Sequence, residues 1–117
     1  MGRRRRARQL ALEALYRIEI AEDEPELVLE DLFASKCVDR ETKAFTQSLV
    51  QQTIKHLNHI DQLISDTAKN WDLARIAVID RNILRFAIVE LLYFPDIPMK
   101  VTIDEAIEIA KKYSTPD

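Results

Sequence analysis

The sequence predicts an all-α protein, and two observations carry this prediction. Apolar residues recur at helical spacing along most of the 117 residues, and 47 % of the chain is hydrophobic. The chain contains a single Gly, so it lacks both the Gly-rich loops that bind phosphate and the glycine turns of β-hairpins. A domain of this length buries roughly two-thirds of the surface that its unfolded form exposes, and it therefore needs neither a disulfide nor a structural metal.

Four helices are predicted in the first part of the chain. The first covers residues 3–20, where apolar side chains follow the i, i+3, i+4, i+7 pattern of one helix face. The second covers residues 25–35, because a proline is tolerated in the first helical turn. Asp39 is the candidate N-cap of a third helix. A joint at residues 58–61 then separates it from a fourth helix that continues to Ala68.

The second part of the chain predicts a central helix and a final helix. Residues 70–72 form a break, and Asp72 within it can cap a short turn. Residues 78–94 are apolar on nearly every side, which is typical of a helix surrounded by others, and the prolines that follow end it. Thr102 and Glu105 have the spacing of a capping box at the start of the last helix. Without an internal repeat or a linker, the sequence predicts six or seven helices in one domain over residues 1–117.

Charge is distributed unevenly along the chain. The net charge is −3, but five of the 17 basic residues lie in the first eight positions: Arg3, Arg4, Arg5, Arg6 and Arg8. The remaining 109 residues carry the other 12 basic and all 20 acidic residues, or −8. Clustered arginines oppose the dipole at a helix N-terminus, which indicates that a ligand favours them. Because they point in different directions around the helix, we expect them to contact an extended polyanion.

RNA or another single strand suits these arginines better than a DNA duplex. A guanidinium group pairs with phosphate oxygens and also stacks on unpaired bases. The sequence lacks the helix-turn-helix, zinc-ligand and leucine-zipper patterns of duplex readers. A solvated tail is the alternative reading, and a transit peptide or nuclear signal also stays open. Charged residues interrupt the apolar stretch at residues 10–20, which a secretory signal would need unbroken. No apolar run reaches the roughly 20 residues of a membrane span. The sequence therefore favours a cytoplasmic protein without a membrane anchor.

Two further groups of charges have both a structural and a functional reading. Seven acidic residues face only Arg17 nearby: Glu19, Glu22, Asp23, Glu24, Glu26, Glu30 and Asp31. They form either a solvated surface or a docking site for a basic protein. The predicted central helix carries Asp80, Arg81, Asn82, Arg85 and Glu90. These side chains make internal ion pairs or face another protein, because buried charges require partners.

Catalytic and metal-binding readings are poorly supported. His56 and His59 are spaced i, i+3, but no nearby Cys or carboxylate set completes a metal site. Cys37 would form a nucleophile pair with a histidine only if the fold brought the two side chains together. Because the chain has no second cysteine to form a disulfide, the sequence favours a reducing compartment. The sequence therefore favours a binding protein without a catalytic residue, a metal or a cofactor.

Three stretches together resemble the NusB family of transcription antitermination factors. They are residues 4–16 (RRRARQLALEALY), 71–90 (WDLARIAVIDRNILRFAIVE) and 97–113 (IPMKVTIDEAIEIAKKY). The IDRNILR and VTIDEAIEIAKK blocks are the most specific, whereas residues 21–58 match only in helical character. The resemblance implies a compact all-α fold of two packed three-helix bundles.

The resemblance also implies a function. Family members bind boxA, a short single-stranded RNA element of ribosomal RNA leader transcripts, together with NusE, a basic protein of the small ribosomal subunit. The complex helps RNA polymerase pass terminators. The arginine-rich RNA-binding segment at the start of the family's sequences matches Arg4, Arg5, Arg6 and Arg8 of this chain. Motifs near the NusE-facing and core surfaces contain Tyr16, Asp80, Arg81 and Glu90.

The sequence departs from the family at its end, and two alternative functions stay open. Family members continue with a Phe-Val-Asn-Gly segment and a last helix, whereas this sequence ends at Asp117. We therefore expect uncovered apolar surface on the helices that contain Val78 and Ile103, with lower stability or packing between molecules. A similar helical domain precedes the catalytic domain of some ribosomal RNA cytosine methyltransferases, although no methyl-donor site is present here. A helical scaffold that binds only proteins is the other alternative.

Overall fold

The computed structural model describes residues 2–68 and 72–114. This part of the chain forms six α-helices and one 3-10 turn and contains no strand, which confirms the all-α prediction. The helices are α1 (Arg3–Ala21), α2 (Pro25–Ser35), α3 (Arg40–Lys55), α4 (Leu57–Thr67), α5 (Val78–Tyr93) and α6 (Met99–Tyr113), with the 3-10 turn at Leu73–Arg75. The chain divides into two compact units, unit 1 (Met1–Gln51) and unit 2 (Gln52–Asp117). The single domain over residues 1–117 stays a prediction.

Unit 1 is built around the apolar face of α1, which packs against α2. Its buried apolar side chains are Ala7, Leu10, Ala11, Leu12, Ala14 and Leu15 of α1, Val28, Leu29 and Leu32 of α2, and Phe45, Leu49 and Val50 of α3. The Thr46 hydroxyl of α3 lies 2.7 Å from the Thr42 carbonyl and 3.4 Å from the Ala7 carbonyl of α1. A buried polar side chain thus finds its acceptors within unit 1.

Asp39 caps α3, as the sequence predicts. One carboxylate oxygen accepts the Thr42 backbone amide at 3.1 Å, and the other accepts the Thr42 hydroxyl at 2.5 Å. The cap fixes where α3 begins, because it satisfies an amide that has no partner inside the helix.

The predicted joint at residues 58–61 is wrong by a few residues. Helix α3 ends at Lys55 and α4 begins at Leu57, so the joint is the single residue His56. The His56 ring stacks on Tyr93 of α5, with centroids 3.9 Å apart and planes 9° from parallel. The apolar periodicity continues across the joint and therefore gives no sign of it.

In unit 2, α5 packs against α4 and α6. Among its buried side chains, Arg85 binds both carboxylate oxygens of Asp61 on α4, at 2.8 and 2.9 Å. The same guanidinium donates to the Asn82 side chain at 3.1 Å. Arg85 therefore forms an internal ion pair, which is one of the two roles predicted for the charges of α5. Asp72 accepts the Ala74 amide at 3.1 Å and caps the 3-10 turn as predicted, while residues 70 and 71 of the predicted break lie outside the described residues.

The predicted capping box of the last helix is wrong. Helix α6 begins at Met99, with Pro98 in the N-cap position. Thr102 therefore lies inside the helix, is only 2 % exposed, and donates its hydroxyl to the Glu90 carboxylate at 2.9 Å. A threonine that has a tertiary acceptor has no need to cap a helix, and sequence spacing alone does not reveal that acceptor.

Apolar surface is exposed at the end of α5 and along α6. Seven large side chains are between 40 % and 65 % exposed: Leu91, Leu92, Met99, Val101, Ile103, Ile107 and Tyr113. Among the described residues, every helix is too short or too polar to span a membrane.

Replacing Thr102 with Val is expected to destabilise the protein by about 1–3 kcal/mol, because the shape is kept while the buried Glu90 carboxylate loses a donor. Urea denaturation followed by circular dichroism measures this change. Lys100→Ala, an exposed substitution on the same helix, serves as the control. Equal unfolding free energies for the Thr102→Val and Lys100→Ala variants would contradict this role of Thr102.

Candidate nucleic-acid interface

The arginine run forms the first two turns of α1. The helix begins directly after Gly2, which as N-cap provides no side-chain capping hydrogen bond, and its first turn contains no acidic residue. The positive end of the helix dipole therefore coincides with the densest cluster of positive side chains in the sequence. Uncapped backbone amides at such an end are donors for an anion.

The arginines of this run differ in their surroundings. Arg3 is exposed and lies 2.6 Å from the Glu41 carboxylate, with Asp39 at 3.7 Å. The hydrogen bond and charge of Glu41 hold the pKa of Arg3 above its ordinary value. Arg6 is half-buried and makes a long contact of 3.4 Å with the Cys37 carbonyl. Arg5 is also half-buried and has an interaction within the protein.

Arg4 and Arg8 both lie over the ring of Phe45 on α3. The Arg4 guanidinium carbon is 4.2 Å from the ring centroid, and that of Arg8 is 5.4 Å from it. The two arginines are one helical turn apart, so both reach the same aromatic ring. Arg4 is exposed, whereas Arg8 is 2 % exposed. Arg8 thus packs inside unit 1, and its contact with RNA stays a prediction.

A groove lies beside this contact, and we call it the Phe45 groove. It has a volume of about 440 Å³ and is lined by Arg3, Arg4, Glu41, Ala44, Phe45 and Ser48. Its wall combines guanidinium groups, an aromatic ring, a carboxylate and a hydroxyl. Sequence reasoning assigned Phe45 only to the core and did not single out Glu41 or Ser48, because nothing in the sequence places α3 beside the arginines.

The four predicted partner-binding residues are in different surroundings. Tyr16 of unit 1 is 40 % exposed. In unit 2, Asp80 accepts the Ser114 hydroxyl at 2.5 Å, and Arg81 donates to the Ile76 carbonyl at 2.8 Å and the Leu73 carbonyl at 3.2 Å. Glu90 is 1 % exposed and accepts from Thr102. Glu90 therefore supports the fold of unit 2, and contact between a partner and any of these residues stays a prediction.

The acidic residues around α2 are mostly at the surface of unit 1. Arg17, their one basic neighbour in sequence, makes a 2.8 Å ion pair with Asp31. Surface pairs of this kind contribute little to stability. Both readings of the acidic group, a solvated surface and a docking site, stay open.

Neither histidine nor the cysteine belongs to a metal-binding cluster in the described residues. His56 stacks on Tyr93, and His59 and Cys37 are exposed.

Comparison with known proteins identifies relatives over nearly the whole chain. The NusB family profile matches residues 5–117. The transcription antitermination protein NusB of Desulforamulus reducens is 40 % identical over 117 residues, which are 100 % of this chain and 81 % of that protein. Its namesake from Geobacter sulfurreducens is 43 % identical over 121 residues, covering 100 % of this chain and 86 % of that protein.

Solved structures share the fold. T. maritima NusB superposes with a TM-score of 0.88 at 42 % identity, covering 96 % of this chain and 79 % of that one. NusB in a crystal structure with NusE and double-stranded RNA has a TM-score of 0.86 at 24 % identity, covering 97 % of this chain and 84 % of that one. The second likeness concerns the fold alone.

Arg8→Ala is expected to cost about 2 kcal/mol of unfolding free energy, because it removes a buried side chain from the Phe45 ring. Arg4→Ala, which removes an exposed side chain from the same ring, is expected to cost about 0.5 kcal/mol. Thermal and urea denaturation of both variants measure the difference. Similar losses for the two variants would contradict the assignment of Arg8 to the interior.

The cap of α3 predicts a pH-dependent stability. The hydrogen bonds from the Thr42 hydroxyl and amide hold the pKa of Asp39 below its ordinary 3.8. A carboxylate with a depressed folded pKa stabilises the protein above the unfolded value and loses that contribution as pH falls through the folded value. The stability difference between the wild-type chain and Asp39→Ala should therefore be constant above about pH 5 and shrink as pH falls below the ordinary value.

Urea denaturation at successive pH values measures this difference, with Asp96→Ala, an exposed aspartate of unit 2, as the control. A difference that does not change with pH would contradict the role of the Asp39 carboxylate.

Proposed function

The chain belongs to the NusB family, and we propose that it is a transcription antitermination factor that binds boxA-like single-stranded RNA through the start of α1. One observation carries the proposal: Arg3, Arg4, Arg5 and Arg6 lie together at a helix N-terminus that no acidic residue of its own first turn neutralises. This arrangement supplies positive side chains and uncapped backbone amides to the same anion.

The surroundings of these arginines suit an unpaired strand. Phosphates require accessible cations, and the exposed Arg4 provides one. Unpaired bases require flat surfaces, and Arg4 over Phe45 provides one within the same region. Engagement of three or four phosphates by the arginines of α1 predicts a log-log salt slope of roughly −2 to −3 on a single strand.

Partner proteins complete the proposed function. We infer that the chain acts in the cytoplasm as part of an RNA polymerase antitermination complex and that NusE is its direct partner. In a solved complex of NusB with NusE and double-stranded RNA, NusB has the same fold as this chain. Tyr16 and Asp80 are proposed to contact NusE. Glu90 is buried in unit 2, and Arg81 donates a hydrogen bond to the Ile76 carbonyl, so both support the structure around α5. The methyltransferase-module alternative is not favoured, because the relatives named above are antitermination proteins.

Replacing Arg4, Arg5 and Arg6 together with Ala is expected to weaken binding to a boxA-like RNA and to make the salt slope about 2 units less steep, because three phosphate contacts are lost. Fluorescence anisotropy at several salt concentrations, with and without NusE, measures affinity and slope.

The matched control replaces Lys100, Lys111 and Lys112 of α6 with Ala, which removes the same charge from another surface. It should leave the slope unchanged. A duplex of the same RNA tests the preference for a single strand. Equal slopes for the arginine and lysine variants would overturn the proposed interface.

A further inference from the structure

We propose that the Phe45 groove binds one unpaired guanine of the RNA, which stacks against Arg4 and Phe45 while its edge donates hydrogen bonds to Glu41. The inference rests on the proposed function, since it assigns a base-reading role to a groove beside the arginines. It adds sequence preference to an interface that otherwise recognises only phosphates, which are the same for every sequence.

The stacking surface is already in place without RNA. Phe45 is 9 % exposed, so its ring packs within unit 1. The Arg4 guanidinium lies over this ring, and the exposure of Arg4 leaves the side chain accessible to a ligand from the groove. Unpaired bases stack on guanidinium planes as well as on aromatic rings, and here the exposed guanidinium of Arg4, supported by the Phe45 ring beneath it, is the stacking surface.

The carboxylate of Glu41 selects the base edge. A carboxylate only accepts hydrogen bonds. Guanine has two adjacent donors, N1–H and the N2 amino group, which match the two oxygens of one carboxylate. Adenine and cytosine place an unprotonated ring nitrogen beside their amino group, and uracil places a carbonyl on each side of its N3–H. Each of these edges therefore brings an acceptor against the carboxylate, so guanine fits best.

A carboxylate in an RNA interface also has to avoid repelling phosphates, and Arg3 meets this requirement. Its guanidinium lies 2.6 Å from Glu41 Oε2, so the pair is close to neutral as a unit. The Glu41 oxygens together offer about four acceptor positions, which allows the carboxylate to keep Arg3 while it accepts from a base. Both side chains are exposed, at 66 % and 74 %, and are therefore accessible from solvent.

The test compares decamer oligouridylates that carry one central guanosine, one central inosine or uridine only. Inosine lacks the N2 amino group and keeps the rest of the guanine ring, so it removes one donor without changing the stacking area. The wild-type chain is expected to bind the guanosine strand about tenfold more tightly than the inosine strand. In Glu41→Gln, the ratio should fall to near one, because the amide group presents a donor to the guanine donors.

The ratio is measured within each protein, so the loss of one negative charge cancels. Glu30→Gln, an exposed substitution of equal charge on α2, should keep the wild-type ratio. RNA binding without a guanosine preference, or a preference that Glu41→Gln retains, would overturn the guanine site while leaving the RNA-binding function intact. If none of the strands bound, or if binding did not depend on the arginines of α1, the proposed function would fail together with this inference.

Discussion

The packing of two arginines of α1 over Phe45 of α3 is the interaction on which the arginine-rich side of unit 1 depends. Buried Arg8 holds the ring from one helical turn further along, and exposed Arg4 covers it at the start of the helix. Because Asp39 fixes the start of α3, the ring, the carboxylate of Glu41 and the helix dipole of α1 are presented together. Their arrangement turns a cluster of like charges, which alone would destabilise the helix, into a surface for an anion.

In unit 2, two charged side chains are buried and hold helices together. Arg85 and Glu90 are nearly buried, and each has a partner on a different helix: Asp61 of α4 and Thr102 of α6. Such contacts define how α5 packs on α4 and α6, since a shifted helix would leave a buried charge without its partner. The charges of α5 thus specify packing, whereas most of those at the start of α1 lie at the surface.

The helix content could be predicted from the sequence because its signals are local. Proline at the first position of α2, the cap at Asp39 and the apolar run of α5 each depend on neighbouring residues, and the helices begin there as expected. The joint at His56 and the start of α6 were predicted at the wrong residues. His56 stacks on Tyr93 and Thr102 donates to Glu90, and the sequence shows neither of these tertiary contacts. The same limit applies to the Phe45 groove. The arginines were visible as a cluster, but the residues opposite them are more than 30 positions away in the chain.

The burial of Arg8 also bears on how this surface tolerates mutation. A substitution at this position acts on the fold through Phe45 before any ligand is present, whereas one at Arg4 changes an exposed side chain. A change at position 8 is therefore expected to alter stability as well as charge, whereas a change at position 4 alters mainly the surface charge. In the proposed RNA interface, position 4 can vary with the sequence of the RNA while position 8 maintains the packing on Phe45.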